Sequence, residues 1–354
     1  MSQEQVDFLI IGSTPLARLL AGLLASNHGK SVLLQADSLS GQRLGPGPDL
    51  SVAALTRPQS WALLATAVPE TTRLVRRIGK RAALARLDPI LAAAGAPGQQ
   101  ALRHIAHMAA GFGLAAEPVT SARLGQGREG LVLRDAVMLV RPMLEPALQR
   151  WLAGLGVGQL APDAAVAMAE NGSAQVMRDG ATIAVGQTIL ADDDAILAHL
   201  PAGRWPDLLQ RQLASVILTP KVAPLAAPVM LELDSGLVLQ QQQEGGVLAR
   251  GPGEIADLAA RLPPLVGLPQ AFEQAGQARM MRVVTSDGAP AMGRLGGSGP
   301  DILAGFGPIG AFLAPALARW LCGAASAAEN AWCGARLVSR HAGDGAVSDI
   351  GEQA

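Results

Sequence analysis

The first 35 residues carry the pattern that most restricts how this chain can fold. Residues 6–11 form a short apolar run that ends at Gly12, which is typical of a parallel strand buried on both faces. Leucines then recur at helical spacing from Leu16 to Leu24, and residues 27–29 end that pattern. A second apolar run follows at residues 31–34. Strand, helix and strand within about 30 residues predict a βαβ unit.

The turn after the first strand has part of the pattern that binds a dinucleotide. Such a turn uses three small residues: the first permits the turn, the second lets the backbone approach the pyrophosphate, and the third lets the helix pack closely. Here these positions hold Gly12, Thr14 and Ala17, with Ser13 after the first. Gly12 and Ala17 fit, whereas we expect the branched side chain of Thr14 to lie where the phosphates bind.

The end of the second strand also departs from that pattern. An acid is expected about 20 residues beyond the turn, where its carboxylate accepts hydrogen bonds from the ribose hydroxyls. This chain has Gln35, whose amide can accept one hydrogen bond and donate another, and Asp37 is an alternative two positions further on. The unit therefore either binds a dinucleotide with a weakened ribose contact or is a scaffold without nucleotide.

The composition adds a large interior and a second domain. The chain has 354 residues, of which 49% are hydrophobic and 16% are charged, a balance typical of ordered globular proteins. Residues 61–112 and 138–152 show helical periodicity, and turn signals within residues 166–190 and 229–249 predict antiparallel hairpins. We therefore predict an α/β fold with a Rossmann-like domain and a second domain built on antiparallel sheet and helices.

Charge and motif counts argue against several other functions. The net charge of −1 and the lack of a Lys/Arg block predict no nucleic-acid partner. Neither the pair Cys322 and Cys333 nor the pair His104 and His107 has further ligands at metal-binding spacing, so we expect no metal site. The chain has only two cysteines, which is typical of a protein in the reducing cytoplasm. Residues 302–318 carry no polar side chain, but their glycines and prolines predict a buried loop that leads into a helix, with no transmembrane segment.

The carboxyl-terminal third resembles a known family. Residues 282–293 (RVVTSDGAPAMG), 303–310 (LAGFGPIG) and 314–317 (APAL) are similar to the closing signature of the FAD-dependent D-amino-acid oxidase and glycine oxidase superfamily, and residues 140–144 (VRPML) extend the resemblance. The resemblance implies a discontinuous FAD-binding domain at 1–50, 131–200 and 280–340. It also implies a substrate or cap domain at 51–130 and 201–279, followed by a tail at 341–354.

The same resemblance implies a set of site residues. Those expected around FAD are Gly12, Ser13, Thr14, Ala17, Gln35, Gly305, Gly307, Ile309 and Gly310. Arg282 is the candidate for binding the carboxylate of a small-molecule substrate, because a guanidinium holds a carboxylate by two parallel hydrogen bonds. The alternative for Arg282 is a structural ion pair. The chain has no tyrosine, a residue that often helps to anchor the substrate in this family.

Three consecutive aspartates at residues 192–194 depart from the family pattern, which places small residues and a glycine there. Carboxylates beside a pyrophosphate would repel it, so either this loop swings outward or the site no longer holds FAD. Two main functions follow. One is an FAD-dependent oxidoreductase that removes a hydride from an amine or amino acid. The other is a non-catalytic partner subunit of a larger oxidoreductase complex. A third, a peripheral membrane flavoprotein, depends only on the apolar run at residues 302–318.

Overall fold

The computed structural model describes residues 4–37, 44, 47–178 and 180–341. The strands in this part of the chain are β1 (Glu4–Ile11), β2 (Val32–Gln35), β3 (Leu84–Leu87), β4 (Ile90–Ala93), β5 (Ala116–Val119), β6 (Glu129–Leu133), β7 (Ala136–Leu139), β8 (Gly158–Leu160), β9 (Val166–Met168), β10 (Ala174–Arg178), β11 (Ala181–Leu190), β12 (Leu209–Leu218), β13 (Val229–Glu232), β14 (Leu237–Gln241), β15 (Val247–Pro252), β16 (Gly276–Thr285), β17 (Ala291–Arg294) and β18 (Asp301–Ala304). The helices are α1 (Pro15–His28), α2 (Pro58–Gly79), α3 (Ala96–Gly111), α4 (Ser121–Leu124), α5 (Arg141–Gly154), α6 (Asp193–His199), α7 (Ile255–Arg261), α8 (Pro263–Val266), α9 (Gly310–Leu321) and α10 (Ala327–Gly334).

The first sheet contains the predicted βαβ unit. Its strand order is β17-β18-β11-β1-β2-β8, with β1 parallel to both β2 and β11 and with β11 parallel to β18. Ile10 belongs to the cluster that includes α1 and α9, whereas Leu9 and Ile11 pack with β11 and α6, so both faces of β1 are buried. The carboxyl ends of β1, β11 and β18 therefore meet at one edge, which is where open parallel sheets bind ligands.

The second sheet is the predicted antiparallel one. Its strand order is β16-β12-β15-β14-β13-β4-β6-β5, and all pairs are antiparallel except β13 with β4. The strands β13 to β15 form the hairpins predicted within residues 229–249. A separate hydrophobic cluster joins this sheet to α7 and α8. The predicted α/β fold with a second, antiparallel part is confirmed.

Two strands interrupt the stretch that was predicted to be helical at residues 61–112. α2 and α3 lie within it, but β3 and β4 separate them. β3 pairs with β7, and β4 pairs with β6 and β13. Leu and Ala favour a helix locally, and pairing with distant strands overrides that preference here. Met138, which was predicted to be helical, likewise lies in β7, and α5 begins only at Arg141.

The apolar run at residues 302–318 contains the predicted glycine turn and helix, and its first residues belong to a strand that was not predicted. β18 ends at Ala304, a 3-10 turn spans Gly307–Ile309, and α9 then packs against α1 and α2. No helix in the described part of the chain is long and apolar enough to cross a membrane.

An ion cluster ties three helices together behind this sheet. Arg319 of α9 donates hydrogen bonds to Glu70 of α2 at 2.8 and 3.0 Å and to Glu329 of α10 at 2.6 Å. α2 therefore packs with the helices of the first sheet, although residues 51–130 were assigned to the cap domain. The domain boundaries stay a prediction. Residues 342–354 of the predicted tail and Asp179 of one predicted turn lie outside the described residues.

Candidate functional site

A cavity of about 620 Å³ lies at the carboxyl edge of the first sheet, where that sheet faces the second one. Its wall comes from the turn before α1, the turn after β11, the loop between β18 and α9, and β16. Among the predicted site residues, those on the wall are Ser13, Thr14, Arg282, Gly305, Gly307 and Gly310. Gly12, Ala17, Gln35 and Ile309 are not part of this wall.

The turn between β1 and α1 is packed as tightly as the sequence predicts. Gly12 has a φ of +156°, and a β-carbon added there would lie 3.1 Å from the β-carbon of Ala17. Ala17 is itself fully buried, so a larger residue at either position would push α1 away from β1. Gly12 and Ala17 thus take the packing roles of the first and third small residues in a dinucleotide-binding turn.

Thr14 is the N-cap of α1. Its Oγ1 accepts a hydrogen bond from the backbone N–H of Ala17 at 3.3 Å, and Pro15 is the first residue of the helix. The hydroxyl of Thr14 is therefore directed to its own helix. The side chain that lies over the backbone N–H groups of this turn, where a phosphate would bind, therefore belongs to a different residue.

That residue is Asp192, which directly follows Ala191 at the carboxyl end of β11. Its carboxylate Oδ2 accepts a hydrogen bond from the backbone N–H of Ser13 at 2.6 Å, and Oδ1 accepts one from Ala195 at 2.9 Å as the N-cap of α6. A β-carbon on Gly12 would lie 3.1 Å from the same Oδ2. At this position the predicted alternative that the aspartate loop swings outward is wrong, because capping α6 directs Asp192 inward.

Burial raises the pKa of Asp192 above its ordinary value, although the N–H groups of Ala195 and Ser13 partly offset this effect. Behind the turn, Arg18 is buried and donates to the carbonyl oxygens of Ser13 at 3.2 Å and Asp37 at 2.7 Å. Burial also lowers the pKa of Arg18, which its neighbouring carboxylates, Glu145 foremost, oppose. The turn therefore has hydrogen-bond partners on both sides.

Gln35 is buried at the end of β2, and only the nitrogen of its side-chain amide has hydrogen-bond partners among the described residues. Its Nε2 donates to three carbonyl oxygens in the loop after β8, those of Ala161 (3.2 Å), Pro162 (3.1 Å) and Ala164 (2.8 Å). Its Oε1 is buried and accepts no hydrogen bond from the described residues. The alternative residue, Asp37, contributes its backbone N–H to Ser13 Oγ at 2.8 Å.

The loop after β18 completes one side of the cavity. Gly305 has a φ of +68°, a backbone conformation that favours glycine, and Gly307 and Gly310 also face the cavity. Ile309 is fully buried and belongs to the hydrophobic cluster around α1, so its side chain does not form part of the wall.

Arg282 lies on β16, which forms the side of the cavity wall that belongs to the second sheet. Its side chain is 15% exposed, and its Nε lies 3.9 Å from Oδ2 of Asp193, the residue after Asp192. The cavity wall also contains charged residues that were not predicted as site residues, among them Asp49, Arg141 and Arg250. Arg141 donates to Asp49 at 2.6 Å. The Arg-Pro pair at the start of α5 was a usable signal for Arg141, whereas Asp49 and Arg250 carry no sequence signal.

The described residues contain no group of three or more His, Cys, Asp or Glu side chains that could hold a metal ion. His104 instead contacts the carbonyl oxygen of Thr56 through Nε2 at 2.8 Å.

Several solved structures of amino-acid enzymes are similar to this chain. The glycine oxidase from Geobacillus kaustophilus matches with a TM-score of 0.73 and 17% identity, over 96% of this chain and 100% of that one. The L-proline dehydrogenase from P. horikoshii matches at 0.72 and 14%, over 94% and 97%. The L-amino acid deaminase from Proteus myxofaciens matches at 0.70 and 14%, over 94% and 93%. No protein-family model and no curated protein sequence matches. The chain therefore has the fold that these amino-acid enzymes share.

Proposed function

We propose that this chain is an FAD-dependent oxidoreductase that acts on an amine or amino acid. One observation carries the proposal: a single cavity of about 620 Å³ extends from the N-terminus of α1 to the guanidinium of Arg282. The amino-acid oxidase fold supports it, since that fold brings a dinucleotide-binding turn and the second sheet to the same cavity.

The described residues offer most of a cradle for FAD. The N-terminus of α1 presents backbone N–H groups and the positive end of the helix dipole, which favour a phosphate. At the end of β2, the Oε1 of Gln35 is a buried acceptor with no donor among the described residues, although its side chain is not part of the cavity wall. The glycines at 305, 307 and 310 leave the wall beside α9 free of side chains. These groups fit FAD once Asp192 leaves the N–H of Ser13.

Bound FAD supplies the hydride acceptor for the carbon that bears the substrate nitrogen. Arg282 holds the substrate carboxylate by two parallel hydrogen bonds and so fixes which way that carbon points. The substrate carboxylate replaces Asp193 as the partner of this guanidinium. The chain contains no tyrosine, so no phenol hydroxyl shares this task.

The cofactor is tested by measuring the visible spectrum of the purified chain, the flavin released on denaturation, and the binding of added FAD up to millimolar concentration. We expect saturable FAD binding. A folded chain that neither carries flavin nor binds added FAD would refute the cofactor and the enzyme activity together.

The role of Arg282 is tested by Arg282→Gln, with Arg86→Gln as the control outside the cavity wall. Arg86 is exposed on β3 and pairs with Asp135 at 3.3 Å. Losing two charge-assisted hydrogen bonds predicts a fall in kcat/KM of about 100-fold or more for amino acids in a dye-reduction assay. Amines without a carboxylate serve as the comparison, and we expect both flavin content and their turnover to stay near the wild-type values. Unchanged amino-acid kinetics would remove Arg282 from the site.

A second candidate is a chain of the same fold that binds no flavin and acts as a non-catalytic subunit. The contact between Asp192 and Ser13 favours it, because this carboxylate takes the place of a phosphate oxygen. The FAD-binding experiment decides between the two.

A further inference from the structure

The turn at residues 192–194 brings carboxylates to both anion-binding parts of the cavity. Asp192 accepts a hydrogen bond from the N–H of Ser13 at 2.6 Å, and Asp193 lies 3.9 Å from the Nε of Arg282. The same turn therefore contacts two groups that can bind anions. One is the N-terminus of α1, which suits a cofactor phosphate, and the other is the guanidinium of Arg282, which suits a substrate carboxylate.

The contact with Ser13 uses the same chemistry as a bound phosphate. The first N–H groups of a helix have no partner within the helix, and an anionic oxygen that accepts from them is stabilised by the helix dipole. Carboxylate and phosphate oxygens are both such acceptors. Because Asp192 Oδ2 lies against Gly12 as well as on the N–H of Ser13, a phosphate oxygen and this carboxylate cannot occupy the position together.

Gln35 lies at the end of β2, the strand that follows α1, and has an acceptor that no described residue meets. Gln35 is 5% exposed, and its Oε1 accepts no hydrogen bond from the part of the chain that the structure describes. Three carbonyl oxygens hold its Nε2, so the free acceptor is fixed in place. A buried acceptor is costly unless a donor meets it, so a hydrogen-bond donor brought here from outside the described residues would be stabilised.

We propose that Asp192 is an internal competitor for the cofactor phosphate, so that FAD binds only when this carboxylate leaves the N–H of Ser13. The inference rests on the proposed function. Asp192 lowers FAD affinity and takes over the helix end when FAD is absent. Its own helix gives it a second position, because Oδ1 remains the N-cap acceptor for Ala195.

The test compares FAD affinity among wild type, Asp192→Ser and Asp207→Asn, using the full chain freed of bound flavin and measuring the quenching of flavin fluorescence. Serine is a good N-cap, so it keeps the start of α6 while being too short to reach Ser13. Asp207 is exposed and lies outside the cavity wall, so Asp207→Asn removes one carboxylate charge without touching the site. Circular dichroism verifies that each variant is folded, and Asp192→Asn replaces the serine variant if the latter does not fold.

We expect Asp192→Ser to bind FAD about tenfold more tightly than wild type, or better, since one charge-assisted contact no longer competes. Asp207→Asn should change the affinity by less than about threefold, as exposed charges do. If wild type and Asp192→Ser bind FAD equally, or the serine variant binds more weakly, the competition is overturned while the proposed function stands. If the folded serine variant and wild type both fail to bind FAD, the proposed function fails and the inference with it.

Discussion

Asp301 offers a quantitative prediction about stability and pH. It is the first residue of β18 and is 5% exposed. Burial raises the pKa of Asp301 from its ordinary 3.8 to about 6, although Arg294 and Gln187 both favour the charged form. The folded chain therefore favours the protonated form of this carboxyl. Protonation of Asp301 contributes its full stabilisation of the fold below about pH 4, and this contribution is lost as the pH rises through about 6.

Replacing Asp301 with Asn keeps the shape and removes the charge. A rise of about two in pKa corresponds to about 3 kcal/mol, so Asp301→Asn should raise the free energy of unfolding by up to about 3 kcal/mol at pH 8. Near pH 4 the gain should vanish, because the wild-type carboxyl is then neutral as well.

The assay is urea unfolding followed by circular dichroism at pH 4, 6 and 8. Asp88→Asn is the control, because hydrogen bonds from Arg134 and the backbone hold the pKa of Asp88 below its ordinary value, and neutralising it should bring no gain at pH 8. If Asp301→Asn does not raise the free energy of unfolding at pH 8, or raises it equally at every pH, then burial does not destabilise the charged form of Asp301.

Three further outcomes follow from packing and burial. A methyl group on Gly22 would lie 2.1 Å from the ring of Trp151, so Gly22→Ala should lower the unfolding free energy by about 1–3 kcal/mol in urea titrations, whereas Gly154→Ala, whose methyl meets open space, should not. Arg319→Met leaves two carboxylates unpaired and should cost about 2 kcal/mol, with a smaller loss in 1 M salt, both read from thermal melts. Burial raises the pKa of Cys333 to about 12, so this thiol should resist alkylation at pH 8 until the chain is denatured, as mass spectrometry of peptides can verify.

The parts of the fold that the sequence predicts well are those with a local signal. The apolar run before Gly12 and the leucine periodicity after it define β1 and α1 within a residue or two, since a buried parallel strand and a helix each impose a period on neighbouring residues. β3 and β4 lack such a signal. Their leucines and alanines suit a helix, and they are strands because of partners up to 140 residues away, as in the pairing of Ile90 with Met230.

The site residues, too, comprise some that a local sequence signal predicts and some that only distant strand pairing brings together. Gly12, Ala17 and the glycines after β18 were predictable because a tight turn allows few other residues. The three aspartates were visible as a conflict with a phosphate, but their orientation was not. Asp192 and Ser13 are 179 residues apart, and only the pairing of β1 with β11 brings them together. Arg141 and Asp49 likewise meet across 92 residues.

The pairing of β1 with β11 has a consequence for how the chain folds during synthesis. β1 can pair with β2 as soon as the first βαβ unit emerges, but its other edge must wait until residues 183–190 have been made. Until then an apolar strand has an unpaired edge, which is the feature that most readily joins other chains. The N-terminal unit expressed alone should therefore aggregate. Refolding of the full chain should be slow and concentration-sensitive, because its central strand depends on contacts of high sequence separation.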